Sequence, residues 1–554
     1  MDKKLLFMKL YLSVFFFFLG LLSASSQQTV IQPRDIFIHF DKSLYFNGEK
    51  VWLAVYTVEK KEADLVQIQL INPALKIIDN QLLELHQGSA GTCLTLPDTL
   101  AAGYYYVKVN RVSDMSYNRI YALPVLNENQ KKDSLLRMNL PENFLPSESN
   151  FPAQITVSWD NKTEFQQREI AEIAFQVMDN TGRPLESICS VAITDNTGIL
   201  KEFARLPETS WLQNTHTSAQ AGVDKLIFKG QWKQGTLPPA GFSFLAFNDV
   251  AADRLYPVLP DSGGFKIELD RFYGSRDFQL INWNPFESFH PEFETEHPGD
   301  ELVEFLKGRF INLPFPVEYF DRHIKKKFLD SLLFVNTTKE VVRAPEIFKF
   351  EKNPDKIYQL KDYEYVKDFT SFFRDAVASS SLVKTDTFLS LRLFSKARAN
   401  ELTNKPLYQV DGYYMADENI FLNYLHPADT MEIRLFTEPK TIKQYFTPNL
   451  TGNGIVSLLH SNIKYIKARK QVSYTTINGI TPASLFQQPD KPVSVPFLDS
   501  QVYWQSGITT DEQGRGVIRC LMPDALTDLT ITVCGISNSG IPFKASRNVR
   551  INLK

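Results

Sequence analysis

Residues 40–52 read FDKSLYFNGEKVW. Asn47-Gly48 stands between two apolar runs and signals a tight turn, because glycine reaches positive φ freely and asparagine tolerates it. The stretch therefore predicts a corner joining a strand at 36–40 to another at 50–58. Asp41 is placed to accept backbone N–H groups, and Tyr45 to anchor the corner with its ring and hydroxyl. Asp41 and Glu49 could instead be an acid pair. No base, nucleophile or metal set accompanies them, so the structural reading is preferred.

The chain upstream sets the expected compartment. Lys3, Lys4 and Lys9 precede an apolar run at 10–22, with phenylalanine at all four positions 15–18, and Ala24-Ser25-Ser26 follow. That layout reads as a secretory signal peptide over 1–26, too short and wrongly flanked for a stable anchor. No cysteine lies near the cleavage point, which argues against a lipoprotein. No later apolar run reaches the ~18–20 residues of a spanning helix. The remainder is expected to be exported, and soluble or held at a membrane by partners.

Roughly 530 residues are too many for one core and predict about three to five domains. A net charge of −3 carries no basic field and argues against nucleic acid. Aromatics at 13% suit packed sheet faces. Four cysteines (Cys93, Cys189, Cys520 and Cys534) are too few for a disulfide scaffold. Cys520 and Cys534 could face each other across a hairpin or stand as two reduced, buried thiols.

Strand patterns fill 36–126 and predict a β-sandwich over 27–128, followed by a linker at 129–150. A second, Ig-like β unit is expected over 151–222. Its clearest hairpin-like pair is 172–178 and 190–195 around the turn at 179–182. Short strands continue through 223–285. Residues 286–344 read as a mixed helical connector, with helices at 300–309 and 321–333. An amphipathic helix at 364–378 carries Phe369, Phe372 and Phe373 on one side and opens an α+β segment over 345–465. The chain then returns to β over 466–554.

Asp41, Tyr45, Gly48 and Glu49, followed by Val51-Trp52, resemble the signature of the macroglobulin MG2 domain, with Asn47 where that family usually has proline. Trp504-Gln505-Ser506-Gly507, followed by Met522-Pro523-Asp524-Ala525-Leu526-Thr527, resembles the strand and turn of alpha-2-macroglobulin sandwiches. Ala525 stands there in place of serine. Lys405-Pro406-Leu407-Tyr408-Gln409-Val410-Asp411-Gly412, with 425–433 and 454–459, resembles the plug domain of TonB-dependent receptors. Residues 226–280 resemble a carboxypeptidase-regulatory-like sandwich. These likenesses imply a mainly β, multidomain exported bacterial protein with several macroglobulin-like or Ig-like sandwiches and one plug-like unit. About 95 residues follow the plug-like segment, short of eight tilted strands and their turns, so no receptor barrel is expected. No Cys-Gly-Glu-Gln thioester occurs, which argues against covalent trapping.

Motifs for zincins, serine hydrolases and P-loops do not occur in the sequence. His290, Glu292, Glu294, Glu296 and His297 form a His/acid cluster that Pro291 and Pro298 assign to a loop rather than a metal site. Asp195 reads as a turn cap, and Asp411-Gly412 as a structural turn. No catalytic, cofactor or metal residues are assigned. The expected function is protein binding or assembly at the outer membrane, with a β-barrel or an envelope complex as partner and no nucleic acid. The alternatives are a glycan-binding surface module, for which Trp211, Trp232 and Trp283 are candidates, and a cryptic hydrolase.

Overall fold

A computed structural model describes residues 36–58, 64–112, 114–129, 140–141, 155–196, 210–213, 225–232, 242–247, 252–261, 264–282, 291–293, 310–311, 317–333, 341–342, 353–363, 366–384, 389–397, 399–410, 413–415, 430–445, 451–460, 474–486, 488 and 496–553. The expected signal peptide and the 300–309 helix lie outside them. The molecule is mainly β and multidomain.

Strand Lys50–Thr57 shows no polar alternation, and its surroundings explain why. It lies between Ile36–Phe40 and Ser89–Thr95, antiparallel to both. Val51, Leu53 and Val55 face a second sheet, meeting Val66, Ile68, Leu70, Val107 and Val109. That second sheet runs Ser210–Gln213, Asp114–Leu126, Gly103–Arg111, Asp64–Ile71, Ile77–Leu85, and Tyr45–Phe46 pairs parallel to Val125 and Leu126. The residues between, Trp52, Ala54 and Tyr56, point the other way. They pack on Ile188, Ala192, Trp504 and Ile536 of the next unit. A strand covered on both faces reads as a continuous apolar run.

That next unit corrects the domain reading. Segments 151–222 and 466–554, expected as separate sandwiches, contribute strands to the same two sheets. Ile170–Asp179 lies between Ile155–Trp159 and Arg515–Leu521. The opposite sheet runs Glu164–Gln166, Pro542–Asn552, Asp528–Ser537, Ser187–Asp195, Gln501–Thr509. Ile173, Phe175, Val191 and Ile193 close one core with Ile518, Leu521, Ile531 and Val533. The expected 172–178/190–195 hairpin is not formed. The Asp179 carboxylate does accept Thr181 N–H (2.8 Å) and Arg183 N–H (2.9 Å) in a turn. Ser187–Asp195 then enters the opposite sheet, where it has a partner along each edge. Among the described residues, neither segment has strands enough to cover two faces alone; together they do.

A seven-stranded sheet uses five strands between Lys225 and Asn282, then adds Pro291–Phe293 at one edge and Tyr474–Asn478 at the other. The last was expected in the C-terminal sandwich. It pairs instead with Ser275–Asn282, and Leu65 of the N-terminal sandwich shares this sheet's core with Phe265 and Phe278.

The α+β segment forms the sheet Lys356–Gln359, Thr430–Phe436, Ile455–His460, Leu407–Val410, Tyr413–Met415. The expected helix is shorter than 364–378. It spans Phe369–Asp375, with Asp368 as N-cap accepting Ser371 N–H at 2.6 Å. Phe369, Phe372 and Phe373 are fully buried against Tyr408, Ile433, Leu435, Val456 and Leu458. Those rings contribute several kcal/mol, at roughly 2–3 each.

Candidate functional site: the opening corner and its clasp helix

Each quoted residue of the corner has an internal partner. Gly48 sits at φ +81° and donates its N–H to Leu96 O (2.9 Å). Asn47 donates its N–H to Leu126 O (2.9 Å), a bond that a proline in its place could not make. Its side-chain amide reaches Asp98 O at 2.5 Å. Tyr45 is fully buried and donates its hydroxyl to Asp41 Oδ1 (2.5 Å). The same oxygen accepts Trp52 N–H at 3.0 Å. Asp41 is thus the corner's backbone acceptor. Burial, outweighing the lowering by Lys42 and Tyr45, lifts its carboxyl to about 7.

Glu49 turns back on its own corner. Its carboxylate accepts Phe46 N–H (2.8 Å) and pairs with Lys42 Nζ (2.6 Å). Burial alone would raise its pKa, but Lys42 and His323 outweigh burial and hold it below the usual range. Lys42 shows the converse. Burial opposes its charge, yet Glu49, Tyr319 and Asp41 keep the ammonium above its ordinary value.

Tyr319 and His323 belong to helix α1, Val317–Leu333, which extends the expected 321–333 helix by a turn at its start. Tyr319 and Phe320 pack beside Leu44, Phe46, Tyr104 and Tyr106 of the N-terminal sandwich. The His323 ring stacks on Phe46, centroids 3.6 Å apart and planes 9° apart, and its Nε2 lies 3.0 Å from Glu128 Oε1. Burial lowers the His323 pKa despite Glu49 and Glu128. Lys327 also pairs with Glu128. From the same helix Arg322 pairs with Asp195, and Lys326 pairs with Asp499 (3.0 Å). Both acids belong to the composite sandwich, so α1 clasps two units at once. Asp195, read as a turn cap, is therefore an inter-unit acceptor that also takes the Thr527 hydroxyl at 3.0 Å.

Trp504 is buried in the seam between the two sandwiches, its ring 5.1 Å from that of His39. Pro523 is buried, and Asp524 beside it is held by Arg168 Nε (2.6 Å) and Phe497 N–H (2.7 Å). Asp411 and Gly412 lie outside the described residues; the strands flanking them pair antiparallel, with Val410 opposite Tyr413. Residues 294–300 and His290 also lie outside, as do Trp283 and the side chains of Trp211 and Trp232. Cys93, Cys189, Cys520 and Cys534 are buried and form no disulfide with one another. Cys520 and Cys534 stand in opposite sheets, not across a hairpin.

Sequence reading missed a polar group in the seam. His39 Nδ1 lies 2.7 Å from Ser190 Oγ, and the Tyr56 hydroxyl donates to the same oxygen at 2.7 Å. The signal was present in Ser187–Asp195, a strand buried at every position although it carries Ser190 midway.

No family model and no curated protein matches the chain by sequence. Among solved structures it is similar to Salmonella alpha-2-macroglobulin reacted with methylamine, at 9% identity and TM-score 0.24, covering 94% of this chain and 40% of that one. The native conformation of E. coli alpha-2-macroglobulin gives 10% identity, TM-score 0.24 and the same coverages. A DUF4785 family protein from Legionella pneumophila matches at 9% identity and TM-score 0.15, over 48% of this chain and 57% of that one. The chain thus spans 40% of the length of these two alpha-2-macroglobulins. The domain assignments above rest on this chain's own strand pairings.

Proposed function

We propose that the protein is a non-catalytic, exported binding or assembly component acting at the outer membrane, with a β-barrel or envelope complex as its partner. The observation that carries this reading is the internal use of the polar residues in its signature stretch. Asp41, Tyr45 and Glu49 are spent on the corner and on α1, which is the pattern of a scaffold joint rather than of a site open to substrate. Sheet edges and loops on such a scaffold suit recognition of other proteins. The barrel partner rests on the plug-like resemblance. It is supported by Leu407–Val410, Thr430–Phe436 and Ile455–His460 lying in one sheet under the three phenylalanines. A pull-down of the tagged protein from solubilised envelope, read by mass spectrometry, is expected to enrich an outer-membrane protein. Recovery of none above background would count against the proposal.

A further inference from the structure

Much of the seam between the N-terminal and composite sandwiches is apolar, and one buried polar group is set within it. Trp52, Ala54 and Tyr56 meet Ile188, Ala192, Trp504 and Ile536, and His39, Ser190 and Tyr56 form a polar group among them. His39 is 3% exposed and Ser190 0%. Ser190 Oγ also lies 3.4 Å from Cys534 O, so its proton has an acceptor on either side. The other ring nitrogen, His39 Nε2, is buried with no hydrogen-bond partner among the described residues. A neutral imidazole tolerates this, since one nitrogen can remain a bare lone pair. An imidazolium cannot, since it must place an N–H and a positive charge where no acceptor stands.

We propose that this seam is a proton-sensitive latch: protonation of His39 releases the N-terminal sandwich from the composite sandwich. The surroundings give the sign. Tyr56 from Lys50–Thr57 is held neutral by burial first, and the thiols of Cys534, from Asp528–Ser537, and of Cys189, next to Ser190, act on it in the same direction. From Pro542–Asn552 the charged group acting on the ring is Lys544, a cation. Trp504 and Ser190, from the remaining two strands, bring no charge. Burial first, and Lys544 second, hold the docked His39 well below its ordinary value. The released ring returns to about 6.5. The latch is therefore fully closed above about pH 6.5 and loosens as pH falls from there toward the docked value.

The cysteines provide the readout. Cys93 lies in the seam beside Trp52, and Cys534 stands on the seam-facing side of its strand, in register with Ser190. Cys189 and Cys520 sit inside the composite core. A dipyridyl disulfide, which reacts in acid, would label the native full-length protein from pH 7.5 to 5, with modified peptides quantified by mass spectrometry. In the wild type, labelling of Cys93 and Cys534 relative to Cys189 and Cys520 is expected to rise as pH falls below about 6.5, by up to about tenfold per unit, the limit for one coupled proton. His39→Gln and His39→Phe should flatten that rise. Lys544→Gln, an exposed substitution compatible with folding, should shrink it by letting the docked ring hold its proton. A flat wild-type ratio overturns the latch. So does a rise that persists unchanged in the His39 variants or, should those not fold, in Lys544→Gln.

Discussion

At the scale of single residues, the corner at 41–52 is over-determined, and Gly48 is the position where this can be measured. Its φ of +81° disfavours any side chain, and a Cβ built there would stand 2.1 Å from Asp98 Oδ1. Gly48→Val therefore combines backbone strain with a steric conflict. Strain of this kind costs about 1–3 kcal/mol. The Asp98 carboxylate can swing aside in part, which keeps the clash term small. Denaturant unfolding should show the N-terminal sandwich destabilised within that range, and an unchanged midpoint would mean the turn rebuilds without the left-handed residue. The neighbouring Asn47 is committed as fully. Its N–H and both side-chain polar atoms are used, the last through Glu128 N–H at 3.3 Å.

At the scale of elements, α1 separates contacts that look alike but differ in magnitude. Arg322 and Lys327 reach across unit boundaries, yet their side chains are 34% and 59% exposed, and such pairs contribute about 0–1 kcal/mol. Phe320 is buried at 4% beside Phe46, and truncating a buried ring costs about 3–5 kcal/mol. Phe320→Ala should free the helix, with fast amide exchange throughout 317–333. Arg322→Ala should leave exchange close to wild type. If Arg322→Ala opened the helix as far, the clasp would be ionic after all. The elements also show what the sequence could convey. The corner, the three phenylalanines and the strands at 407–410, 430–436 and 455–460 were legible because turn chemistry and periodicity are local. Lys42–Glu49 was within reach, seven residues apart. His39–Ser190 spans 151 positions and Arg322–Asp195 spans 127, and no local pattern links such residues. The periodicity at 364–378 overstates the helix Phe369–Asp375, because it says little about where Asp368 begins the helix or where the chain turns at Ser380, whose hydroxyl donates to Phe373 O (2.9 Å).

At the scale of the whole molecule, the decisive fact is that Ser187–Asp195 has Asp528–Ser537 on one side and Gln501–Thr509 on the other. All nine of its residues are buried, one face against the composite core and the other against the seam and its neighbours. A strand in that position cannot be stable without the C-terminal strands, because its edges would expose unpaired backbone and its core face would open to water. Residues 151–222 alone are therefore expected to be unfolded, with no cooperative thermal transition by circular dichroism. Residues 155–196 joined by a short flexible linker to 496–553 carry every strand of both sheets. They should fold with a sharp transition, once Trp504 and Ile536, bared by the missing seam, are replaced with polar residues for solubility. Should 151–222 fold by itself, the two segments would be neighbouring domains that exchange strands only in contact, and the seam around His39 would then be an ordinary interface between independent units. The pairing of Ile170–Asp179 with Arg515–Leu521 argues the other way, since seven consecutive residue pairs hold the first half of the chain to the last.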